Sequence, residues 1–372
     1  MKKRFLYKIE SKILYFFLLA STFSHTAQAQ SLNQNWWNDL SPTWQQIFVE
    51  AADLSSSEVS SSDLEKIVNL KKINCSGLSV EGDFRDIQSL EPLSQLKNLE
   101  VVDCSYSSID NIIPLEKLPN LKVINCTGTL IENIAPLANA SLLKELYLGQ
   151  TFVRSVTELG ETSNLEKLDL YQCPDFRDFG SIGQLKKLKI LALDETSLAS
   201  LDFVTNLLSL EELSISQTYI SDLNPLVALE SLRRLEFFET NVKDIAPLKK
   251  LTQLEYVNGN NNQNIIDIQD FEELKKLKVL YLSNTGISTL RPLSTIAGLE
   301  EVTFSQTHVE DISPLKDNSN LKTIICTGTP IESITPVSEL SKLSVFYIRD
   351  TNVSQEEVRA FKASHPDCEI DN

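Results

Sequence analysis

The sequence predicts an α/β solenoid, a right-handed horseshoe whose short coils line up a parallel sheet on the concave side. The first observation is a repeat: an apolar residue at i, i+3 and i+5 recurs thirteen times, as in Leu143, Leu146 and Leu148. The second is its period of 22 or 23 residues after one step of 29. A coil this short cannot bury its apolar side chains alone, so each coil must stack on its neighbours. The first apolar residues of the coils are Leu70, Leu99, Leu121, Leu143, Leu165, Leu188, Leu210, Leu232, Leu254, Leu277, Leu299, Leu321 and Leu343.

The spacing within a coil predicts its elements. Leu235 and Phe237 alternate with polar neighbours, which favours a short strand with one buried face. Leu226, Leu229 and Leu232 recur every three residues, the spacing that aligns side chains on a 3-10 turn. Because 22 residues leave too little chain for a full helix, we expect 3-10 turns and extended segments on the convex side.

A buried polar row is predicted at position i+8 of the coils. Nine coils have threonine there, and two others have Asn262 and Cys173. A side chain here ties a turn to backbone groups, and losing one such hydrogen bond costs about 1 to 3 kcal/mol. We interpret the row as structural and not as a set of nucleophiles. The threonines are Thr129, Thr151, Thr196, Thr218, Thr240, Thr285, Thr307, Thr329 and Thr351.

The links between coils resemble a known family. The segments Ser221-Asp222-Leu223-Asn224-Pro225-Leu226 and Glu310-Asp311-Ile312-Ser313-Pro314-Leu315 look like the D-I-x-P-L link of internalin-type bacterial leucine-rich repeats. The resemblance covers residues 70–353, about 13 repeats. It implies the solenoid fold and a concave face that binds proteins, often host receptors. This chain departs from the pattern by using threonine at most i+8 positions.

Residues 1–29 read as a secretory signal peptide. Five basic residues flank or precede an apolar stretch at 13–20, and Ala27-Gln28-Ala29 forms a cleavage site of small residues. No later apolar run is long enough to span a membrane. The sequence therefore predicts an exported bacterial protein, either periplasmic or extracellular, with no membrane insertion.

The flanks of the solenoid read as caps. In residues 30–69, Ser41-Pro42 resembles a helix start. Trp36 and Trp37 there could cover the solenoid end or form a binding patch. In residues 354–372, Ser354 and Glu357 predict a capping box. A last short strand is expected near Cys368 and Ile370.

Charge narrows the range of partners. The whole chain has 34 Lys and Arg against 51 Asp and Glu, a net charge of −17; without residues 1–29 the balance is 29 against 50, a net −21. Such acidity argues against nucleic acids and anionic membranes as partners. The sequence therefore predicts a monomer that binds protein, with a basic protein favoured and a glycan as the weaker choice.

Six cysteines leave two interpretations open. Cys75, Cys104 and Cys126 share the same inward position on three consecutive coils, where neighbours are close enough for a disulfide. Three thiols cannot all pair, however, and Cys326 has no cysteine on an adjacent coil. Either these residues are small buried hydrophobes, or one bridge forms among the first three.

Catalytic and metal chemistry find little support. After residues 1–29 only His308 and His365 remain, far apart and without ligands at metal spacing. There is also no phosphate-binding glycine loop and no G-x-S-x-G motif. The sequence therefore predicts a non-enzymatic protein without a cofactor or a metal.

The candidate site is the exposed face of the strands, at positions i+2, i+4, i+6 and i+7. Aromatic side chains on a rigid sheet are typical interface hot spots, and here they are interleaved with acids. Phe238 stands out because it is apolar, central and flanked by two glutamates. We expect a protein ligand on this face; glycan binding through stacked tyrosines, or a structural role in the cell envelope, is the alternative. The predicted site residues are Tyr147, Tyr171, Asp194, Glu236, Phe238, Glu239, Tyr256 and Tyr281.

Overall fold

The computed structural model describes residues 32–78, 84–160 and 163–372. The predicted signal peptide, residues 1–29, lies outside these ranges. Five α-helices are present in the described chain: α1 Gln34–Asn38, α2 Pro42–Ala51, α3 Ser61–Val68, α4 Phe179–Ile182 and α5 Gln355–Ser364.

The strands form one parallel sheet in strict chain order, and each is three residues long. In the thirteen coils they occupy positions i+2 to i+4, in constant register between neighbours. The prediction of a parallel solenoid is confirmed. The strands are β1 Lys72–Asn74, β2 Val101–Asp103, β3 Val123–Asn125, β4 Glu145–Tyr147, β5 Lys167–Asp169, β6 Ile190–Ala192, β7 Glu212–Ser214, β8 Arg234–Glu236, β9 Tyr256–Asn258, β10 Val279–Tyr281, β11 Glu301–Thr303, β12 Thr323–Ile325, β13 Val345–Tyr347 and β14 Glu369–Asp371.

The core lies behind the sheet and is continuous along the stack. Positions i+3 and i+5 point inward, so that Leu213 and Ile215 are buried while Glu212 is exposed. The 3-10 turns then cross the far side, as at Asn224–Ala228, and Leu226 of that turn is also buried. One coil differs from the predicted pattern, because Asp178 caps the single α-helical turn α4 there.

The i+8 row is mostly bonded within its own coil. The Thr218 hydroxyl donates to the Ile215 carbonyl at 2.6 Å, and the other threonines repeat this contact. Asn262 also forms bonds between coils. Its Nδ2 donates to Phe237 O of the preceding coil at 2.9 Å, and its Oδ1 accepts from the Thr240 hydroxyl at 2.8 Å. Threonine therefore closes a turn, whereas asparagine also joins two coils.

Position i+7 has a left-handed backbone, which the sequence reading missed. From the second coil to the thirteenth, its φ lies between 51° and 69°, and only Gly128 and Gly328 are glycines. The prediction that Glu239 stands on the strand face is wrong, since it occupies this turn. Side chains along the row bond to each other; Gln150 donates to Gln172 at 2.6 Å, and Gln217 donates to Glu239 at 3.0 Å.

A charged row at position i+1 runs along the sheet. Glu100 accepts from Lys71 at 3.0 Å and from Lys122 at 2.6 Å. Glu255 is likewise held by Arg233 and Lys278, at 3.6 and 2.6 Å. Salt bridges as exposed as these each contribute little to the free energy of folding, and dissolved salt screens them.

Helices cover both ends of the described sheet. At the first end, Phe48 of α2 is fully buried, and half-buried Trp36 packs on it with ring centroids 5.3 Å apart. At the other end, Phe361 of α5 packs against Phe346. The predicted capping box at α5 forms only in part: Glu357 N donates to Ser354 Oγ at 3.2 Å, but the Glu357 carboxylate turns to the adjacent coil. It accepts from the Ile334 amide at 3.0 Å, which ties the cap to the last repeats.

All six cysteines are thiols in this structure. Cys104 and Cys126 are fully buried, with their sulfur atoms 3.5 Å apart. Burial raises the pKa of Cys75, and the neighbouring Cys126 thiol together with burial raises that of Cys104. They pack as small hydrophobic side chains.

Candidate functional site

The exposed face of the sheet is formed by rows i+2, i+4 and i+6, and we call it the concave face. Because i+3 and i+5 point into the core, side chains in these three rows stand outward. Adjacent strands are about 4.8 Å apart, so residues in one row are neighbours at that spacing. The predicted residues lie on this face except Glu239, which lies in the turn beside it.

The tyrosines of the face are held by charged neighbours. The Tyr147 hydroxyl donates to Glu145 at 2.7 Å, and Lys167 lies 4.8 Å from the ring centroid. Burial and the Glu145 carboxylate raise the Tyr147 pKa. Burial also raises the pKa of Tyr171, which lies near Glu195. These phenols stay protonated at neutral pH.

Arg234, which the sequence reading passed over, organises the centre of the face. Its guanidinium lies 3.5 Å from the Tyr256 ring centroid and donates to Glu236 twice, at 3.0 and 2.6 Å. Tyr256 meets Tyr281 edge-on at 5.5 Å, and the Tyr281 hydroxyl donates to Glu301 at 2.8 Å. Two of the predicted binding groups, Glu236 and Tyr256, are therefore already engaged with Arg234. Its signal in the sequence was a cation two residues before Glu236, in the row that also holds Tyr256.

Phe238 is the apolar centre of the face. It is half-buried in row i+6, between Ser216 and Asn260. Within the described chain, no other ring stacks on it and no cation lies over it. A phenyl group on a polar, rigid surface, without an internal partner, is available to an external one.

Asp194 lies two coils before Phe238 in the same row. Its Oδ1 accepts from Ser214 Oγ at 2.5 Å and from the Ser216 amide at 2.7 Å. Burial raises the Asp194 pKa to about 6, and the Glu236 charge acts in the same direction, against the hydrogen bonds. Asp194, Ser216 and Phe238 thus form a short row of a carboxylate, a hydroxyl and a ring.

Other parts of the molecule offer less. One cleft of about 420 Å³ lies beside Phe203 and Lys186, and another of about 500 Å³ lies beside Trp37 and Gln45 of the N-terminal helices. No group of three or more His, Cys, Asp or Glu in the described ranges could hold a metal ion. The described residues contain no helix long and apolar enough to cross a bilayer.

Comparison with known proteins agrees with this geometry. The model of the family "Leucine Rich repeats (2 copies)" matches residues 97–139. An internalin (inlF) from Listeria monocytogenes has a similar structure, with a TM-score of 0.77 and 21% identity over 89% of this chain and 94% of that one. The fold is that of an internalin-type leucine-rich-repeat protein.

Two further leucine-rich-repeat structures are similar at lower identity. The LRR protein LIC12759 of Leptospira interrogans has a TM-score of 0.69 and 18% identity, over 83% of this chain and 92% of that one. The functional domain of InlJ from Listeria monocytogenes, described as including a cysteine ladder, has a TM-score of 0.67 and 18% identity, over 90% of this chain and 69% of that one. No curated protein shows significant sequence similarity to this chain.

These similarities establish the fold of the chain but do not identify its ligand. Leucine-rich-repeat solenoids typically mediate protein–protein recognition and serve as non-enzymatic scaffolds. The question for this leucine-rich-repeat chain is therefore which surface residues provide the contact.

Proposed function

We propose that this chain is an exported, non-enzymatic recognition protein that binds a polypeptide through its concave face, centred on Phe238. The observation that carries the proposal is the contrast between this ring and its aromatic neighbours. The hydroxyls of Tyr147 and Tyr281 are bonded to glutamates, and Tyr256 is covered by Arg234. Phe238 has no such engagement and can serve as a hot spot.

The scaffold supports this role because it is rigid where the contact is expected. Every strand is paired on both sides except at the ends, and the core behind Phe238 is formed by buried Leu235 and Phe237. A preorganised face loses little conformational entropy on binding, which favours affinity.

A basic polypeptide fits the electrostatics of this face better than an acidic one. Around Phe238 stand Asp194, Glu212 and Glu239, whereas Arg234 and Glu236 neutralise each other. Complementary charge speeds association and suppresses wrong partners.

The glycan alternative has weaker support. Sugars would need the tyrosine rings and hydroxyls free, but the hydroxyls of Tyr147, Tyr281 and Tyr347 already donate to glutamates at 2.6 to 2.8 Å. A soluble polysaccharide that quenches tyrosine fluorescence, where protein partners do not, would favour the glycan.

The test is a comparative capture from the producing cell and its surroundings. Immobilised residues 30–372 would be used as wild type, Phe238→Ala and Leu208→Ala. Leu208 is the matched control, an apolar side chain 59% exposed but away from the sheet. We expect a polypeptide retained by the wild type and by Leu208→Ala but not by Phe238→Ala. Equal retention by all three variants would overturn the proposal.

A further inference from the structure

Burying the Asp194 carboxylate is unfavourable for folding, and the structural role of Asp194 does not require its charge. In most coils, the backbone amide of the residue at position i+6 donates to a side-chain acceptor. In several coils the acceptor is the Asp or Asn two residues earlier, as Asn258 Oδ1 is for Asn260 N at 3.2 Å. The seventh coil has Ser214 at that place, so Asp194 of the preceding coil accepts from Ser216 N instead.

The chain itself contains the neutral version of this arrangement. The tenth coil has Tyr281 in place of the acceptor, and Asn260 of the preceding coil accepts from Ser283 N at 2.6 Å. An amide therefore suffices to hold the turn. The charge on Asp194 is not needed for the fold.

Within the described ranges, no cation pairs with that charge. Lys167 on the preceding coil lies over Tyr147, Lys189 on the same coil pairs with Glu166, and Arg234, two coils further on, pairs with Glu236. Among the remaining ionisable groups, Tyr171 and Glu236 interact with it electrostatically. Asp169 and Glu212 lie on the strands of the adjacent coils, and Glu195 is next in the chain. A desolvated carboxylate among acids and a phenol is a group for which an external cation would be favourable.

A second polar group, the Ser216 hydroxyl, also favours an external ligand at this position. Ser216 is fully buried in the outward row, between Asp194 and Phe238, and its hydroxyl oxygen has no hydrogen bond of normal geometry in the described structure. The hydroxyl lies close enough to the Asp194 carboxylate to favour its ionised form, but the Ser216 oxygen accepts no hydrogen bond in the described residues, and a ligand that supplies a donor would be favourable. Phe238 follows about 4.8 Å further along the row.

We infer that Asp194, Ser216 and Phe238 form a receptor for one lysine or arginine side chain of the bound polypeptide. The cationic head would pair with the Asp194 carboxylate and donate to the Ser216 hydroxyl, while the aliphatic stem packs on the Phe238 ring. This inference rests on the proposed function, because it names the partner group that the concave face selects.

The inference has a proton-linked consequence. In the free protein the Asp194 pKa is about 6, so the carboxylate is partly protonated in mild acid. A bound cation favours the ionised form and lowers that pKa. Affinity for the cation should therefore fall as the pH drops below about 6.

The test uses defined pentapeptides with one central side chain between glycines: arginine, lysine, citrulline or norleucine. The protein carries ¹³C-labelled aspartate carboxylates, and the Asp194 signal is assigned by its loss in Asp194→Asn. We expect saturating arginine or lysine peptide to lower the titration midpoint of Asp194 by about one pH unit or more. Citrulline and norleucine peptides should leave it unchanged.

Glu230→Gln is the matched control, since it removes an exposed acid outside the sheet, after the 3-10 turn Asn224–Ala228. It should respond to the arginine peptide as the wild type does, whereas Ser216→Ala should respond several-fold more weakly. An unchanged Asp194 midpoint with arginine peptide, or an equal shift with citrulline, would overturn the inference. Because no natural partner is used, that failure is distinct from a failure of the Phe238 capture experiment.

Discussion

At the scale of single residues, the concave face combines satisfied groups with a few that are not. The Glu236 carboxylate is held by Arg234, and Tyr281 by Glu301. Within the described residues, the Asp194 carboxylate has no such cation, and no charged group or ring packs on Phe238. Binding sites commonly retain such groups at a cost in stability, which a partner offsets.

The first prediction concerns the stability cost of Asp194. Its folded-state pKa of about 6 is above the ordinary 3.8, so the folded protein binds the proton more tightly than the unfolded chain. Stability from this group is therefore present below pH 4 and is lost as the pH rises through 6. Asp194→Asn should stabilise the protein at pH 7 by up to about 3 kcal/mol and by little at pH 4. Urea unfolding at both pH values measures this, and a less stable variant at pH 7 would contradict it.

Part of this site could be predicted from the sequence. The period places Phe238 and Asp194 on the outward face, because alternation fixes which side chains leave the core. It could not show that Arg234 pairs with Glu236, since a cation two residues away has many rotamers. Nor could it show that Ser216 is buried, because that depends on the neighbouring coils.

At the scale of elements, the coils are closed by two devices. One is the i+8 row, in which Thr218 bonds its own coil while Asn262 bridges two. The other is the left-handed residue at i+7, present in twelve coils. The sequence did not reveal it, because glutamine and glutamate carry no left-handed signature. The residues of the row that do favour a left-handed backbone are Gly128, Gly328, Asn261, Asn284 and Asp350.

The second prediction compares the two kinds of i+8 residue. Asn262→Ala removes bonds to Phe237 O and Gly259 O and removes the side-chain acceptor of the Thr240 amide. We expect a loss of about 3 kcal/mol or more, against about 1 kcal/mol for Thr218→Ala, which removes one local bond. Chemical denaturation of both variants measures the difference. Equal losses would mean that the asparagine does not join coils.

The third prediction concerns Gly128. Its φ is +69°, and a Cβ there would lie 2.5 Å from the Tyr106 ring. Gly128→Ala should therefore destabilise the protein by about 1 to 3 kcal/mol. Gly298→Ala is the control, because its Cβ would meet nothing closer than 3.6 Å. Thermal melts in which the two variants are indistinguishable would contradict the described turn.

At the scale of the whole molecule, the solenoid is a stack in which each coil contacts its neighbours. The fold followed from the sequence almost completely, because a fixed period constrains every coil at once. The contacts of the caps at the two ends could be predicted less well from the sequence. Glu357 bonds to Ile334 of a neighbouring coil, a contact that no local motif encodes.

The fourth prediction concerns export. If residues 1–29 are a signal peptide, the exported protein should begin at Gln30, since Ala27 and Ala29 provide the small residues before the cut. Intact-mass measurement of the secreted or periplasmic protein tests this. A mass that retains residues 1–20 would indicate an uncleaved segment.

The most direct test of recognition by the concave face is an affinity titration of the captured partner against Phe238→Ala. Truncating a central hot spot costs about 2 kcal/mol or more, so we predict at least a roughly thirtyfold weaker dissociation constant. The thermal midpoint should be nearly unchanged, because Phe238 stands outside the core. If Phe238→Ala binds normally while Trp36→Ala abolishes binding, the recognition surface is the N-terminal cap and not the concave face.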